Sequence, residues 1–488
     1  MPQDFHLACS AAGLAAGCSP TSLKIISHFR DVAGEVHAAP GKLDPGSSRG
    51  IYHGNMDVNE QMRADWNRRA REDVHFYVAF GRRSQEEQDF LASAAEATSA
   101  LEAEFSRLPP SAPENRSALE IGCGPGRLMR PMSRHFGEIH GVDISDEMVR
   151  LACDQLKDIP HAHVQVTPDS RLRMFRDGSF DFVYSYVVFQ HIPNRDVVLN
   201  YLREAGRVLK PGGILRCQLR GTPAMELEMR QEPATWTGCY FSGDEVAAFA
   251  RRRQLQLVAL SGLRTQYMWV TLRKPRARLP EPDFSKVILK DVTAASSGKH
   301  SVPQRGREAA VSLWLEGMPD SSDLAGLAVG FDGVLQRGCY ISPIGENGGC
   351  QFDVVLPSGI RAGSVSVTLH NHEGKLLAGR ALIEVTPGPP WEPKVLLVTD
   401  SVNIASKYRI EIGVKVTIED IEHPGEVSFR VDGHPVGWMR IEFKDPIAFT
   451  YEFSFYLPVI VKDGERRLDI SVSGRALPPV SLQVIRNA

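Results

Sequence analysis

The sequence of 488 residues lacks the marks of a disulfide-stabilised or nucleic-acid-binding protein. Its eight cysteines are scattered and none belongs to a C-x-x-C pair, which argues against a disulfide framework and against a metal site built from paired cysteines. The 56 Lys and Arg residues nearly balance the 59 Asp and Glu residues, so the net charge is only −3. No basic surface is apparent, and we expect no nucleic-acid partner.

Long apolar runs are also missing. No segment is apolar over the roughly 20 residues that a membrane-spanning helix needs, so we expect no membrane insertion and a cytoplasmic location. The length exceeds that of one ordinary domain, because domains average roughly 100 to 200 residues. The chain is therefore expected to be multidomain, with residues 1–50 forming a weakly ordered leader.

The most informative feature present is a glycine-rich turn that follows an apolar strand. The strand begins at Ala118 and reaches Glu120, and the turn carries glycines at positions 122, 124 and 126 before a helix starts. A second strand ends at Asp143. Glycine lets a backbone come close to a ligand, and an acidic residue that ends the next strand can hold ribose hydroxyls. The pattern predicts the nucleotide-binding half of an α/β sheet.

Strands and helices then alternate in the order that a parallel sheet requires. Two helices, predicted to begin at Asn59 and Ser84, precede this sheet as an N-terminal helical cap. A Lys-Pro-Gly-Gly turn at 210–213 leads into the fifth strand, and a capping box at 242–245 opens the last helix. The predicted strands are 118–121, 139–143, 163–166, 180–185, 214–219, 255–260 and 266–272. We therefore expect a mostly parallel, seven-stranded, Rossmann-like sheet that ends in an antiparallel hairpin.

Residues 59–274 resemble the class I S-adenosylmethionine-dependent methyltransferases. The motifs that carry the resemblance are the glycine turn at 120–126, Asp143, Asp169, the Phe-Arg-Asp-Gly-Ser-Phe-Asp run at 175–181 and the Leu-Lys-Pro-Gly-Gly run at 209–213. The sheet of that family differs from the sheet of dinucleotide-binding proteins because it contains a final antiparallel hairpin. By contrast, the dehydrogenase pattern G-x-G-x-x-G would place its third glycine at 127, where this chain has Arg127.

The resemblance implies S-adenosyl-L-methionine as the cofactor. Asp143 would then accept hydrogen bonds from the ribose hydroxyls, and Asp169 would accept one from the adenine amino group. Trp66 and Tyr77, on the helical cap, would close over the cofactor. The full predicted set of cofactor-binding residues is Glu120, Gly122, Cys123, Gly124, Gly126, Asp143, Ile144, Met148, Asp169, Ser170 and Ser185. No metal site is expected.

Catalytic residues are harder to identify, because the methyl group on a sulfonium is already electrophilic and alignment alone promotes its transfer. If the acceptor is a hydroxyl or a phenol, a general base must take its proton. His191, which follows the fourth strand, is the candidate base. The alternative is that His191 only packs at the end of a helix. Residues 221–241 are long and apolar enough to form a substrate lid or a surface flap.

The composition changes after Lys274, where prolines mark a linker at 275–283. Alternating strands then dominate, and a motif recurs: Gly-Phe-Asp-Gly at 330–333 corresponds to Arg-Val-Asp-Gly at 430–433. Two copies of one unit, at 284–387 and 392–488, would explain the recurrence. Each copy has the size of an immunoglobulin-like β-sandwich domain. The methyltransferase domain itself is expected to occupy 51–274.

Two functions remain open, and a third is weaker. The first is methyl transfer from S-adenosylmethionine to an O or N nucleophile of a small molecule or glycan. The second is a non-catalytic binding or scaffold protein that retains a cofactor-shaped fold, with the β-sandwich repeats binding a protein partner. The third is a nicotinamide-dependent oxidoreductase.

Overall fold

The computed structural model describes residues 57–79, 86–221, 238–306, 308–345, 347–401, 409–411, 413–445 and 448–485. The predicted leader at 1–50 and most of the predicted lid at 221–241 lie outside these residues. The α-helices are α1 (Val58–Ala79), α2 (Glu87–Ala92), α3 (Ala95–Glu102), α4 (Met129–Met132), α5 (Asp146–Gln155), α6 (Arg195–Val208) and α7 (Gly243–Arg253). Within the described part of the chain, none of these helices has the length and apolar composition that crossing a bilayer requires.

The first seven strands form the predicted sheet. They are β1 (Ser117–Ile121), β2 (Glu138–Asp143), β3 (Ala162–Val166), β4 (Phe180–Ser185), β5 (Leu209–Leu219), β6 (Gln256–Ser261) and β7 (Met268–Arg273). Their order is β3-β2-β1-β4-β5-β7-β6, and only β7 runs antiparallel to its neighbours. The expected Rossmann-like fold with a terminal antiparallel hairpin is confirmed.

Strand β5 differs from its predicted bounds because the Lys-Pro-Gly-Gly segment lies inside it. Phe180 pairs with Leu209 and Phe182 pairs with Ile214, so the intervening residues form a bulge between two stretches of regular pairing. Gly212 has a φ of 85°, which suits glycine and interrupts a regular strand. The glycine-containing segment thus departs from regular strand geometry, as the turn prediction implied. The irregularity lies within a longer strand, however, and not before it.

The helical cap also differs in detail from its prediction. Helix α1 is kinked at Asp73, where φ is −168°, and the Asp73 carboxylate accepts a hydrogen bond from the Phe76 backbone N–H at 3.1 Å. The second predicted helix is divided into α2 and α3, and its predicted cap, Ser84, lies outside the described residues. The capping box at Ser242 and Glu245 is present as predicted at the start of α7.

The remaining strands form two units with the same strand order. The first unit contains β8 (Ile288–Ala294), β9 (Ser301–Pro303), β10 (Ala310–Glu316), β11 (Leu327–Phe331), β12 (Val334–Gln336), β13 (Tyr340–Ile341), β14 (Cys350–Val355), β15 (Gly363–Asn371) and β16 (Leu376–Thr386). The second contains β17 (Lys394–Asp400), β18 (Arg409–Ile410), β19 (Val414–Glu419), β20 (Val427–Val431), β21 (His434–Pro435), β22 (Arg440–Asp445), β23 (Thr450–Phe455), β24 (Gly464–Val472), β25 (Arg475–Ala476) and β26 (Val480–Val484).

Equivalent strands pair in the same way in both units. The order β8-β10-β14-β13 recurs as β17-β19-β23-β22, and β12-β11-β15-β16-β9 recurs as β21-β20-β24-β26-β18. The last pair of each longer path, β16 with β9 and β26 with β18, is parallel. The repeated motif has a shared role, because Asp332 and Asp432 occupy equivalent hairpin turns with positive φ. The topology therefore repeats, while the immunoglobulin-like class and the domain boundaries stay predictions.

The first unit is continuous with the seven-stranded sheet, which the sequence did not indicate. Tyr340 of β13 pairs with Ala259 of β6, so one sheet of 11 strands runs from β3 to β8. Buried residues on both sides of this junction, such as Leu260 and Val292, belong to one hydrophobic core. The second unit has a separate core. The first unit therefore extends the seven-stranded sheet across the predicted linker.

A buried cluster of charges joins the helical cap, the sheet and the first unit. Glu104 is fully buried, and its carboxylate lies 2.8 Å from Arg107 and 3.3 Å from Arg216. The Thr271 hydroxyl donates a hydrogen bond to the same carboxylate at 3.1 Å. Arg107 also donates to the Ile341 carbonyl at 2.8 Å. Glu104 is thus the acceptor that neutralises two buried guanidinium groups.

We predict that Glu104→Gln lowers the free energy of unfolding by about 3–5 kcal/mol, because two buried guanidinium groups lose their counter-charge. The measurement is denaturant-induced unfolding of the full chain. Glu87→Gln, on the exposed first turn of α2, is the matched control and should change stability little. Equal stability of the two variants would mean that the cluster contributes nothing to folding.

Candidate active site

The glycine turn after β1 is held against the end of β2. The backbone N–H groups of Gly122 and Cys123 both donate to the Val142 carbonyl, at 2.7 and 3.0 Å. Gly122 has a φ of +75°, and a Cβ at this position would lie 2.4 Å from a methyl group of Val188. Only glycine satisfies both the backbone conformation and this close approach. The turn therefore has one position relative to the sheet.

The carboxylate of Asp143 completes this link. One of its oxygens accepts from the Gly124 N–H at 2.9 Å, and the other accepts from the Ser145 N–H at 2.9 Å. Each oxygen keeps a second lone-pair position. Burial raises the pKa of Asp143 from its usual value, and the two N–H donors oppose that shift. Asp143 can thus hold the turn and still accept hydrogen bonds from a ligand.

Glu120 lies on β1 below the turn and is also buried. Its carboxyl group accepts a hydrogen bond from the Tyr184 hydroxyl at 2.9 Å. Burial raises the pKa of Glu120 to about 8, although the Tyr184 hydrogen bond and the nearby Arg127 charge favour the ionised form. Near neutral pH this carboxyl group is therefore largely protonated.

A cavity opens at the carboxyl ends of β1, β2 and β4 and collects most of the predicted residues. Seven of the predicted cofactor-binding residues line it: Glu120, Gly122, Cys123, Gly124, Asp143, Ile144 and Met148. Trp66 and Tyr77, the two aromatic residues predicted to close over a cofactor, also line it. The helical cap thus contributes one wall and the sheet edge the other.

Four predicted residues lie outside the lining of this cavity. Gly126 faces α5, since a Cβ there would lie 3.0 Å from Leu156. The Asp169 carboxylate is engaged by its neighbour Arg171, whose Nε lies 2.8 Å away. Ser170 accepts from Asn200 at 2.9 Å, and Ser185 donates to the Ile121 carbonyl at 2.8 Å. Their direct roles in cofactor binding stay predictions.

His191 packs against the indole of Trp66, which lines the cavity. Its ring meets the Trp66 ring edge to face, with centroids 5.6 Å apart. His191 is 6% exposed and does not line the cavity, whereas Trp66 does. This packing corresponds to the alternative considered from the sequence, so a role for His191 as a base stays a prediction. Residues 222–237, the greater part of the predicted lid, lie outside the described residues.

Arg127 lies in the site but was not among the predicted site residues. In the sequence it stood out only because it occupies the position at which the dehydrogenase pattern has a glycine. Arg127 is 5% exposed, lines the cavity and donates to the Ser93 hydroxyl at 3.1 Å. Its guanidinium carbon lies 5.8 Å from the ring centroids of both Phe90 and Tyr186. A buried cation beside a glycine turn suits the carboxylate of a ligand. The signal in the sequence was a long cation directly after three alternating glycines.

Comparisons with known proteins bear on the same part of the chain. Residues 119–217 match the family model of a methyltransferase domain. These residues are a methyltransferase domain. Phosphoethanolamine N-methyltransferase 2 of Caenorhabditis elegans is 34% identical over 100 residues, which cover 20% of this chain and 22% of that protein. A ubiquinone biosynthesis O-methyltransferase of Xanthomonas oryzae pv. oryzae is 29% identical over 160 residues, covering 30% of this chain and 64% of that enzyme.

Among solved structures, phosphoethanolamine N-methyltransferase 1 of Haemonchus contortus aligns with a TM-score of 0.34 and 15% identity. The alignment covers 48% of this chain and 53% of that one, whose structure contains phosphoethanolamine and S-adenosylhomocysteine. The chain thus spans less than two thirds of these relatives. The family match is confined to residues 119–217, and the strand-rich units after the first sheet lie outside the matched residues.

The residues of the cavity fit S-adenosylmethionine in their chemistry. The Cβ direction of Gly124 is open apart from Val78 at 3.8 Å, so backbone is accessible to a ligand there. Asp143 offers acceptors for a vicinal diol, and Arg127 offers a counter-charge for a carboxylate. Ile144 and Met148 offer an apolar surface for a purine.

The raised pKa of Glu120 predicts a pH dependence of folding stability. The unfolded carboxyl titrates near 4.5 and the folded one near 8, so the folded state holds a proton that the unfolded chain releases between these values. The contribution of Glu120 to the free energy of unfolding is therefore full below pH 4.5 and falls as pH rises towards 8. Glu120→Gln should remove this part of the dependence. Unfolding of both proteins at pH 5, 6.5 and 8 measures it, and parallel curves would contradict the assignment.

Proposed function

We propose that the protein transfers a methyl group from S-adenosyl-L-methionine to an O or N nucleophile of a small molecule or glycan. The observation that carries the proposal is the position of the glycine turn and Asp143 in one cavity of a methyltransferase domain. The proposal extends from the matched residues to the whole chain.

The residues around the cavity have separate binding tasks in this proposal. Asp143 accepts hydrogen bonds from the ribose hydroxyls, using the lone pairs that the turn leaves available. The backbone of 122–124 meets the amino acid end, where Arg127 neutralises the carboxylate. Ile144 and Met148 contact the adenine. Glu120 supports the turn from below, through its hydrogen bond with Tyr184.

When bound, S-adenosylmethionine supplies a methyl group that is already activated by the sulfonium. The chain's task is therefore to align the acceptor, with reacting atoms about 3–3.5 Å apart, and to exclude water. Trp66 and Tyr77 from the helical cap and Tyr186 after β4 surround the cavity and reduce the access of solvent. His191, which packs against Trp66 of the cavity wall, takes the proton in this proposal when the acceptor is a hydroxyl or a phenol.

The acceptor class is proposed from the relatives and from the cavity together. The relatives named above are a phosphoethanolamine N-methyltransferase and an O-methyltransferase of ubiquinone biosynthesis, and both names point to small acceptors. The chain is formally near neutral, with a net charge of −3, which does not favour nucleic acid. Nitrogen and oxygen acceptors both remain within the proposal.

We further propose that the second strand-rich unit borders the path of the acceptor. Lys444 on β22 lies 5.7 Å from the ring of Tyr267, the residue just before β7. Trp269, two residues further along, contacts Tyr186 of the cavity wall, with ring centroids 5.7 Å apart and ring planes tilted by 32°. A glycan acceptor would then contact both the sheet edge and β22.

Asp143→Ala should weaken cofactor binding by about 1.5–3 kcal/mol, because the ribose loses its charged acceptor. Titration calorimetry with S-adenosylhomocysteine measures the effect. Asp154→Ala, an exposed carboxylate on α5, is the control and should bind as the unaltered protein does. Because Asp143 also holds the turn, Asp143→Asn is the gentler variant and should lose less affinity. Unchanged affinity in both Asp143 variants would contradict the proposed site.

The activity itself is tested with methyl-labelled S-adenosylmethionine. Purified protein is incubated with small amines, phenols and glycans, and the labelled product is identified. Gly124→Val should abolish transfer, since its side chain would intrude where backbone meets the ligand. A protein that binds the cofactor and labels none of these acceptors would favour the scaffold alternative. Stabilisation by NAD in preference to S-adenosylmethionine would favour an oxidoreductase.

The role of β22 is tested by substitution and not by deletion. Removing residues 280–488 would expose the β6 edge and part of the shared core, so loss of activity would have no single cause. Lys444→Ala should raise the KM for the acceptor and leave the cofactor affinity unchanged. Lys462→Ala, on the same unit, is the control. If both variants retain the KM of the unaltered protein, β22 does not border the acceptor.

A further inference from the structure

Three potential metal ligands lie together at the outer edge of the first sheet. Glu138 and His140 are two residues apart on β2, so their side chains project from the same face. His163 on β3 pairs directly with His140 in the parallel register. One ligand atom from each of the three residues lies within 4.8 Å of the others.

We propose that Glu138, His140 and His163 bind a divalent cation of the zinc class, with water completing the coordination. Two imidazole nitrogens and one carboxylate oxygen form a common ligand set for zinc. At metal–ligand bonds of about 2.0–2.1 Å, tetrahedral ligands lie about 3.3 Å apart. The Nε2 of His163 is 2.7 Å from the Glu138 carboxylate, and the two imidazole centroids are 4.9 Å apart. Small side-chain rotations therefore bring all three atoms to a metal.

The surroundings of His140 prepare it as a ligand. Its ring meets the rings of Phe175 and Phe180 edge to face, at 5.6 and 5.5 Å, which restricts its orientation. The imidazole is thus held beside His163, its partner in the parallel register.

The site would fasten the edge strand of the sheet. Among the strands that the structure describes, β3 is outermost in its sheet and pairs only with β2. The residue after β3, Thr167, lines the candidate cavity, and its N–H donates to the Asp143 carbonyl at 2.8 Å. A cation at the amino ends of β2 and β3 would therefore stabilise two strands whose carboxyl ends support the cavity. Glu138 and His163 are 25 residues apart in the sequence, a separation that matches no common spacing of metal ligands.

The proposal is tested on the full chain without a histidine tag, in a Cys153→Ser background that removes an exposed thiol. Calorimetry with zinc chloride should give one site, and Co²⁺ should give visible absorption bands that zinc abolishes. His163→Ala and Glu138→Gln should each lose about tenfold or more in affinity. Both residues are exposed, so these variants are expected to fold. Thermal unfolding should shift upwards with zinc in the parent protein only.

His161→Ala is the matched control, because this histidine lies two residues from His163 and contacts the Ser133 carbonyl instead of the cluster. It should bind zinc as the parent does. The proposal is overturned if the parent binds no zinc at 100-fold molar excess. It is also overturned if His163→Ala and Glu138→Gln bind zinc with the affinity of the parent, or if His140→Phe does so. In either case the cluster would be only an ion pair between His163 and Glu138, with His140 packed beside it.

Discussion

The hydrogen bonds between the glycine turn and the end of β2 are the constraint on which the candidate cavity depends. The Val142 carbonyl accepts from two successive N–H groups of the turn, and the Asp143 carboxylate accepts from a third, at Gly124. These contacts place the backbone of the glycine turn, the Asp143 carboxylate and the apolar side chains of Ile144 and Met148 around one cavity. They also explain why Asp143 is buried at the cost of a raised pKa, since its charge is compensated by N–H donors that the turn must satisfy in any case.

A chain of ring and charge contacts connects this cavity with the strand-rich part of the protein. Tyr186 of the cavity wall contacts Trp269, whose ring lies 4.4 Å from the guanidinium of Arg216. Arg216 pairs with the buried Glu104, and Arg107 continues from there to the first unit. Together with the strand pair β6–β13, these contacts make the first unit part of the same packed body as the sheet. The second unit packs around its own core and is joined through Arg305, which pairs with Asp420 at 2.6 Å.

Much of the first sheet could be predicted, because each strand is short, apolar and followed by a helix or turn signal. The seven strands and the terminal hairpin follow from that pattern, and the glycine turn located the cavity, whereas the order of the strands is known only from the structure. The structure shows contacts of two candidate residues that could not be predicted from the sequence. Asp169 pairs with its neighbour Arg171, and His191 packs against Trp66. Residue type alone does not distinguish a ligand contact from a local ion pair or from packing.

The sequence alone determined the periodic and local features: the strand and helix pattern, the turn chemistry, the capping box and the recurrence of one unit. These depend on residues that are near neighbours in the chain, so their physical causes are visible in the order of amino acids. Only the tertiary structure decided that β13 continues the first sheet, that Glu104 meets two arginines, and that Arg127 lines the cavity. Each of these is a contact between distant segments, and it depends on backbone edges and buried charges that are matched only when the chain is folded.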